Sequence, residues 1–377
     1  MEEIVESGLS LIYVFLTVVS VCLLLVRGVR GRPVRWLVVL VVSEGTLSCL
    51  VHSLFLKVAL ATVLCGLVHY IGSEEIMLPT LNKAVLITGC DSGLGHDLAK
   101  CLDSAGVRVF AGVLDECGPG ARELKRAASS KLTILQLDVT NRRQIKQAYE
   151  FIRSQTGETG LWGVVNNAGV LGYVGDGEIL PIKLYKKYFD VNFIGSVEVT
   201  QVFLPLIRQS KGRIISISSM AGEIPLPGFS AYGASKAALT VYSGTMRQEL
   251  SRWGVKVIIV QPGAFKTNIF GRREQWIGVQ EEILSDISQD VMETYGVEYI
   301  SSMQQRLVEM SSTSSPNTGP FLESLKHALL SSRPNPFYYP GAAAWALPLF
   351  YRHFPTSLSD KIFSRIFMNS DAKPAQH

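Results

Sequence analysis

Residues 83–115 read KAVLITGCDSGLGHDLAKCLDSAGVRVFAGVLD. A short β-rich run, Val85 to Ile87, enters a glycine turn; Leu94, Leu98 and Leu102 then recur at helical spacing, and a second apolar run extends from Val107 to Val113. The stretch therefore predicts a βαβ unit. Its turn is Thr88-Gly89-x-x-x-Gly93-x-Gly95, with Ser92 and Leu94 on either side of Gly93. Glycines let the backbone turn sharply and approach a pyrophosphate, whose charge sits against the free N–H groups of the helix start. Glycines also mark ordinary strand-to-helix turns, and the spacing differs from the commoner G-x-G-x-x-G. The flanking strand and helix favour a dinucleotide site over a plain turn.

Asp115 falls at the end of the second run, where a carboxylate accepts hydrogen bonds from adenosine ribose hydroxyls and repels a 2′-phosphate. Asp91 in the loop and Glu116 beside Asp115 act in the same sense, and no arginine occupies the loop or the strand end. These residues point to NAD rather than NADP. A solvated acidic strand end is the plainer alternative.

The alternation continues downstream. Residues 132–139 and 161–169 read as buried strands with helical sequence between them. Residues 185–208 read as one long helix, 213–219 as a strand, 231–254 as a helix and 255–263 as a strand ending at a proline break. Repeated βα units with continuous apolar strands imply an α/β, Rossmann-like doubly wound parallel sheet covered by helices on both faces. From 264 to 335 the pattern loosens into polar helices, and SSTSSPNTGP (311–320) reads as a mobile insertion. PFYYPG (336–341) reads as a final strand.

Chemistry enters at SSMAGEIPLPGFSAYGASK, residues 218–236. Tyr232 and Lys236 stand at i and i+4 and share one helix face. A nearby ammonium favours the phenolate, which lowers the tyrosine pKa and makes the hydroxyl a usable proton acceptor. Ser219 ends a predicted strand, and ligands of open α/β sheets bind outside those ends. The Gly/Pro segment between them is a candidate cover for the pocket. The plain reading of a turn serine with a surface Tyr and Lys loses ground once the glycine loop is counted.

The glycine loop, Asn166-Asn167-Ala168-Gly169, Asn192 in DVNFIG, Ser219, Tyr232-x-x-x-Lys236 and Pro262-Gly263 with Thr267 occur in the order and spacing of the short-chain dehydrogenase/reductase superfamily. Residues 83–270 carry this resemblance. It implies a catalytic tetrad: Tyr232 takes the alcohol proton, Ser219 holds the substrate oxygen, Asn192 orders a relay water, and Lys236 lowers the tyrosine pKa and bonds the nicotinamide ribose. It also implies that NAD is held by Thr88, Gly89, Ser92, Gly93, Leu94 and Gly95 of the loop and by Asp115. Further along, Asp138 and Val139, the turn Asn167, Ala168 and Gly169, then Pro262, Gly263, Phe265 and Thr267 complete the cofactor set with Tyr232 and Lys236.

Within the superfamily the chain resembles the membrane-bound hydroxysteroid dehydrogenases. One member of that branch carries asparagine where this chain has Asp115, which makes the ribose contact here at least as NAD-selective. The expected activity is oxidation of a steroid 17β-hydroxyl, as in estradiol or testosterone, to the 17-ketone. The alternatives are oxidation of 11β-hydroxysteroids or retinol, or a catalytically dead NAD-binding membrane scaffold. The same resemblance implies a homodimer paired through the helices around Phe193 and Ala237.

The N-terminal part is another kind of sequence. Residues 8–26 carry no charge and are long enough, at about 1.5 Å per helical residue, to span a hydrocarbon core of about 30 Å. The acidic flank Glu2, Glu3 and Glu6 and the missing cleavage site argue against a removed signal peptide. Arg27, Arg30, Arg32 and Arg35 follow, then an apolar region from Trp36 to Ile71 interrupted by Glu44 and Lys57. Residues 1–75 are thus expected to form a membrane anchor of two or three helices. By the positive-inside tendency the arginine loop is cytoplasmic, and three spans, the favoured count, put the remainder in the cytosol. The tail lacks a dilysine or KDEL-like signal, so residence in the endoplasmic reticulum rests on the membrane segments.

The catalytic domain is expected over 82–345. In the tail, 346–377, Leu358, Ile362, Phe363, Ile366 and Phe367 recur at helical spacing beside Arg352, Lys361 and Arg365. That helix suits either a bilayer surface or the protein's own core. Of the 377 residues 47% are apolar and 18% charged, with net charge +4 and no basic block, which gives no footprint for nucleic acid. Six cysteines without a C-x-x-C pair and six isolated histidines, His96 and His327 among them, indicate neither zinc nor a disulfide framework.

Overall fold

The computed structural model describes residues 12, 56–63, 76–270, 273–341, 344–367 and 374–375. The chain divides into two units, Met1–Ile76 and Met77–His377. In the first unit residues 56–63 are helical. The rest of the expected anchor, with the apolar run 8–26 and its arginine loop, lies outside the described residues except for residue 12. Among the described residues no helix is long and apolar enough to cross a membrane.

The second unit is built on a parallel sheet of seven strands: β1 (Ala84–Ile87), β2 (Arg108–Val113), β3 (Leu132–Gln136), β4 (Gly163–Asn166), β5 (Arg213–Ile217), β6 (Lys256–Val260) and β7 (Phe337–Tyr338). Their spatial order is β3-β2-β1-β4-β5-β6-β7. The winding reverses between β1 and β4, where Val85, Leu86 and Ile87 stand opposite Gly163, Val164 and Val165. Diverging crossovers leave a crevice at the C-terminal ends of those two strands.

Strand side chains alternate between two layers. Val85 and Ile87 join Leu98 and Leu102 of α1 (Gly93–Ser104), Leu124 of α2 (Pro119–Ala127) and Phe321 and Leu325 of a helix introduced below. Ala84 and Leu86 face the opposite layer. There Ile145 and Ile152 of α3 (Arg142–Thr156) meet Phe203, Leu206 and Ile207 of the helical run after β4. These side chains are fully or almost fully buried, each worth about 1.5–3 kcal/mol against exposure.

The long helix expected over 185–208 is three pieces on one axis: α4 (Ile182–Phe189), a π-helical turn (Asp190–Gly195) and α5 (Ser196–Ser210). α6 (Ser230–Ser251) follows β5 and the turn after it that begins at Ser219. Between β6 and β7 come α7 (Arg273–Asp286), α8 (Gln289–Tyr295), α9 (Val297–Thr313) and α10 (Gly319–Leu330), the last lying in the first layer through Phe321 and Leu325.

The segment 311–320 does not stand apart as a mobile insertion. Ser315 N–H donates to the Ala264 carbonyl at 3.0 Å and its carbonyl accepts from Lys266 N–H at 2.8 Å, which ties the segment to the sheet's ligand edge. The tail forms α11 (Ala346–His353) and α12 (Thr356–Phe367). Phe363 is buried in a third cluster with Tyr173, Ile224, Phe229, Trp276 and Met303, while Leu358 and Ile366 are exposed.

Candidate active site

The crevice opens into a cavity of about 570 Å³. One end is the glycine loop. Gly89 and Gly93 adopt φ of +70° and +63°, where a side chain is strained, and a Cβ on Gly95 would lie 2.3 Å from Asn167 Nδ2 and 2.4 Å from the Gly89 carbonyl. The loop therefore has to be glycine to close on the neighbouring turn. Thr88 Oγ1 accepts from the N–H groups of Asn167 (3.1 Å) and Ala168 (3.0 Å), and Asn167 Nδ2 donates to the Thr88 (2.8 Å) and Gly89 (3.0 Å) carbonyls. These four bonds lock the ends of β1 and β4 together across the switch point.

Ser92 caps α1 in extended conformation with no side-chain capping bond, so the first-turn N–H groups of α1 are left for a ligand at the cavity wall. Such a cradle fits a dinucleotide pyrophosphate. Ser92, Gly93, Leu94, Gly95, Asp138, Val139, Asn167, Ala168 and Gly169 line the same cavity, as do Pro262, Gly263, Phe265 and Thr267 from the turn after β6. Val139 is pressed against Gly195 of the π turn, where a Cβ would lie 2.7 Å from Val139 Cγ2.

Thr88 and Asp115 do not line the cavity: Thr88 is buried beneath the loop and Asp115 is exposed. Asp115 Oδ1 accepts from Cys117 N–H at 2.9 Å and shapes the turn into α2. Asp91 does line the cavity. Its carboxylate accepts from Leu114 N–H at 2.9 and 3.1 Å and from Asp115 N–H at 3.4 Å, so two carboxylates flank Leu114 at the end of β2.

Ser219, Tyr232 and Lys236 line the same cavity. Ser219 follows β5 with extended backbone, and its Oγ accepts from Ala221 N–H at 3.2 Å. Ser219 stands beside Tyr232 in this wall and draws the phenol's pKa slightly down. Lys236 lies one turn after Tyr232 on α6, fully buried, with Nζ 5.9 Å from the phenol ring centroid and donating to the Ile217 carbonyl at 2.8 Å. Burial pushes Tyr232 up to about 12, against a smaller downward pull from Ser219, and pushes Lys236 down to about 8. The expected lowering of the tyrosine by the lysine is not found: desolvation raises Tyr232, Ser219 alone pulls it down, and the Lys236 ammonium is turned to a backbone carbonyl.

Asn192 sits in the π turn, fully buried. Its Nδ2 donates to the Val170 carbonyl and to Ser235 Oγ, both at 3.0 Å, and its Oδ1 accepts from Val170 N–H at 2.8 Å. The side-chain amide is occupied in clamping the turn after β4 against α6. A Cβ on Gly169 would lie 3.3 Å from both Asn192 Oδ1 and Lys236 Nζ, which shows how closely the three converge.

The far end of the cavity is apolar: Val170, Leu171, Leu226, Phe229 and Ile269 line it. Sequence reading marked only the segment holding Leu226 and Phe229; the others lie just beyond recognised motifs. Behind this end, Tyr299 donates to Asp176 (2.6 Å), Tyr295 donates to Glu178 (2.7 Å), and Lys183 pairs with Glu282 and with Asp286 (2.9 Å). These contacts tie the segment after β4 to α7, α8 and α9. Among the described residues no His/Cys/Asp/Glu group could hold a metal ion.

Residues 83–278 match the family model described as short chain dehydrogenase. The chain is 45% identical over 339 residues to estradiol 17-beta-dehydrogenase 2 of Mus musculus, covering 89% of each chain. It is 43% identical over 344 residues to 17-beta-hydroxysteroid dehydrogenase type 2 of Homo sapiens, covering 91% of this chain and 89% of that one. To 11-beta-hydroxysteroid dehydrogenase type 2 of Bos taurus it is 40% identical over 292 residues, 78% of this chain and 72% of that one. A short chain dehydrogenase/reductase from Burkholderia phymatum, solved in complex with NAD, shares the fold with TM-score 0.62 at 20% identity, over 73% of this chain and 95% of its own.

Proposed function

Because this chain belongs to the short-chain dehydrogenase family, we propose that it oxidises the 17β-hydroxyl of a steroid, estradiol or testosterone, to the 17-ketone with NAD as hydride acceptor. The observation that carries the reading is the cavity itself: a pyrophosphate cradle at one end, an apolar chamber at the other, and Ser219, Tyr232 and Lys236 between them. Bound NAD supplies the ring carbon that accepts the hydride.

The chain's own residues do the rest. The Ser219 hydroxyl, fixed by Ala221 N–H, orients the substrate oxygen, and Tyr232, lining the cavity beside it, takes the alcohol proton. Lys236 supplies positive charge that favours proton loss from Tyr232. Asn192 keeps Val170 and Ser235 in register, so the turn after β4 cannot drift from α6. The apolar chamber excludes water and matches a rigid hydrocarbon skeleton.

NAD is preferred over NADP because the carboxylates of Asp91 and Asp115 flank the end of β2, where a 2′-phosphate would be repelled. We place the enzyme in the endoplasmic reticulum membrane, anchored through residues 1–75 with the catalytic unit facing the cytosol. The apolar run 8–26 and the arginines after it support this, as do exposed Trp345, Leu349, Leu358 and Ile366 on the tail helices beside Lys361 and Arg365. Exposed Ile194 and Val241, near the edge-to-face pair Phe193 and Tyr242, suit a homodimer seam.

The test is a panel of estradiol, testosterone, an 11β-hydroxysteroid and retinol with NAD and with NADP, using microsomes that carry the full chain. A 17-ketone formed with NAD is expected. Oxidation of the 11β-hydroxysteroid or retinol instead, the second reading that the 40% identity to the 11β enzyme supports, would overturn the substrate assignment. Tyr232→Phe should bind NAD normally and lose turnover by roughly a thousandfold or more; unchanged turnover would refute its role and leave a scaffold.

A further inference from the structure

The segment after Ser219 borders two cavities. Ala221, Leu226 and Phe229 line the catalytic cavity and also a second one, of about 720 Å³, which is bounded as well by Phe363 and Ser364 of α12. Both ends of the segment are fixed. Gly222 N–H donates to the Ser219 carbonyl at 3.0 Å, and a Cβ on Gly222 would lie 2.8 Å from both the Lys236 carbonyl carbon and Ser218 Oγ. At the other end the Gly228 carbonyl accepts from Gly175 N–H at 3.0 Å, with Gly228 itself at φ +83°. The span between reads Glu223-Ile224-Pro225-Leu226-Pro227. Neither proline has an N–H with which to tie it to a neighbour, and the second cavity gives it room to move away from the apolar chamber.

The tail reaches this span. Ile224 belongs to the cluster of Phe363, whose ring lies 6.4 Å from Phe350 and 6.1 Å from Tyr351 of α11. The next residue of α11, Arg352, places Nη2 2.5 Å from Glu223 Oε1. The contact is one of opposite charges and not an aligned hydrogen bond, and its two sides differ: the Glu223 side chain is 12% exposed and that of Arg352 52%. Tyr339, just after β7, senses both charges, since burial and then Glu223 raise its hydroxyl and Arg352 draws it down. A carboxylate taken so far out of water needs a cation to answer it.

We propose that Arg352 is a positioning residue for the substrate chamber: through Glu223 it holds the 223–227 span, and with it Leu226 and Phe229, in place against the steroid, so that α11 of the tail sets steroid affinity and leaves NAD affinity alone. The inference rests on the steroid reading of the apolar chamber given above.

The two partners are not equivalent. Arg352→Gln strands the carboxylate, which regains water by carrying the span outward into the second cavity. Glu223→Gln frees only an arginine that solvent already reaches, so the arginine variant should be the more damaging of the two.

The experiment combines amide hydrogen exchange of the ligand-free, detergent-solubilised full chain with steady-state kinetics on estradiol and NAD. In Arg352→Gln the amides of residues 224–228 should exchange roughly tenfold faster than in wild type, with the glycine loop unchanged. The estradiol KM should rise roughly tenfold, with kcat within about threefold and the NADH dissociation constant within about twofold of wild type. Glu223→Gln should raise KM by roughly threefold, and Arg352→Lys, which keeps the cation, should recover most of the loss. Unchanged exchange at 224–228, an unchanged KM, or NADH affinity falling in step with estradiol affinity would each overturn the proposal. If wild type forms no 17-ketone from estradiol, the substrate reading falls, and the exchange rates alone decide whether Arg352 holds the span.

Discussion

Lys236→Met tests the electrostatics at the centre of the site. Burial holds the Lys236 ammonium at about 8 against 10.5 for an ordinary lysine, a displacement worth about 3 kcal/mol of folding free energy at neutral pH. The unfolded chain binds more protons than the folded one between those two values, so stability rises with pH across that window and the penalty is fully present below it. Integrated from pH 7 to pH 9.5, the relief amounts to about 2 kcal/mol.

Methionine keeps most of the volume and removes the charge. It leaves the Ile217 carbonyl without its 2.8 Å donor, a loss of about 1–3 kcal/mol. The two effects nearly offset at pH 7, so the variant should be within about 2 kcal/mol of wild type there while losing most of its turnover. Urea unfolding of the solubilised full chain, followed by tryptophan fluorescence at pH 7 and 9.5, reads the difference. Wild type should gain about 2 kcal/mol more than Lys236→Met on going to pH 9.5. Identical pH dependence in the two proteins would refute the claim that a buried, strained charge sits at this point.

Asp115→Arg should raise NADP use relative to NAD by roughly tenfold or more, since it replaces repulsion of a 2′-phosphate by attraction; steady-state kinetics with both cofactors checks it, and an unchanged ratio would shift the selectivity to Asp91 alone. Gly95→Ala should cost about 2 kcal/mol or more and abolish NAD binding, because the new Cβ meets Asn167 Nδ2 and the Gly89 carbonyl within 2.4 Å. Gly278→Ala in α7, where an added Cβ meets nothing within 4 Å, should gain about 0.5–1 kcal/mol in the same urea-unfolding assay. Asn192→Leu strips both partners from the Val170 peptide and should destabilise by about 2 kcal/mol or more; a variant of wild-type stability with normal turnover would show that the clamp is dispensable.

The sheet was legible because most strands are short apolar, mainly β-branched runs, several of them closed by glycine or proline, and because the interior alternates between two helix layers at period two. The switch point was legible from the same units, since Thr88 and Asn167 each end a strand. The π turn was not. Its register depends on Asn192 bonding to Val170 and Ser235, residues of other elements, and the periodicity of 185–208 alone fits an unbroken helix. Segment 311–320 misled for a related reason: its polar composition reports only the lack of a core, whereas Ser315 is held by backbone pairing on both sides of Phe265. The Tyr232 titration was read from its neighbour and not from its burial, and burial dominates.

His96 shows where a motif search stops. Asked only whether it has metal-ligand spacing, an isolated histidine returns nothing; its ring bonds a carbonyl in the preceding loop and stands beside a carboxylate on the next helix of the βαβ winding. The cofactor end of the site is therefore written locally, in one loop with its flanking strand and helix, and a sequence of 20% identity can share its fold. The substrate end is assembled from Leu171, Leu226, Phe229 and Ile269, backed by Trp276, Met303 and Phe363, residues of five separate segments that meet only after the excursion between β6 and β7 and the tail helix have folded back. Substitutions there change which skeleton fits without touching Ser219, Tyr232 or Lys236. Steroid preference should accordingly move with the α7–α9 segment when it is exchanged between relatives, while NAD affinity stays with the loop.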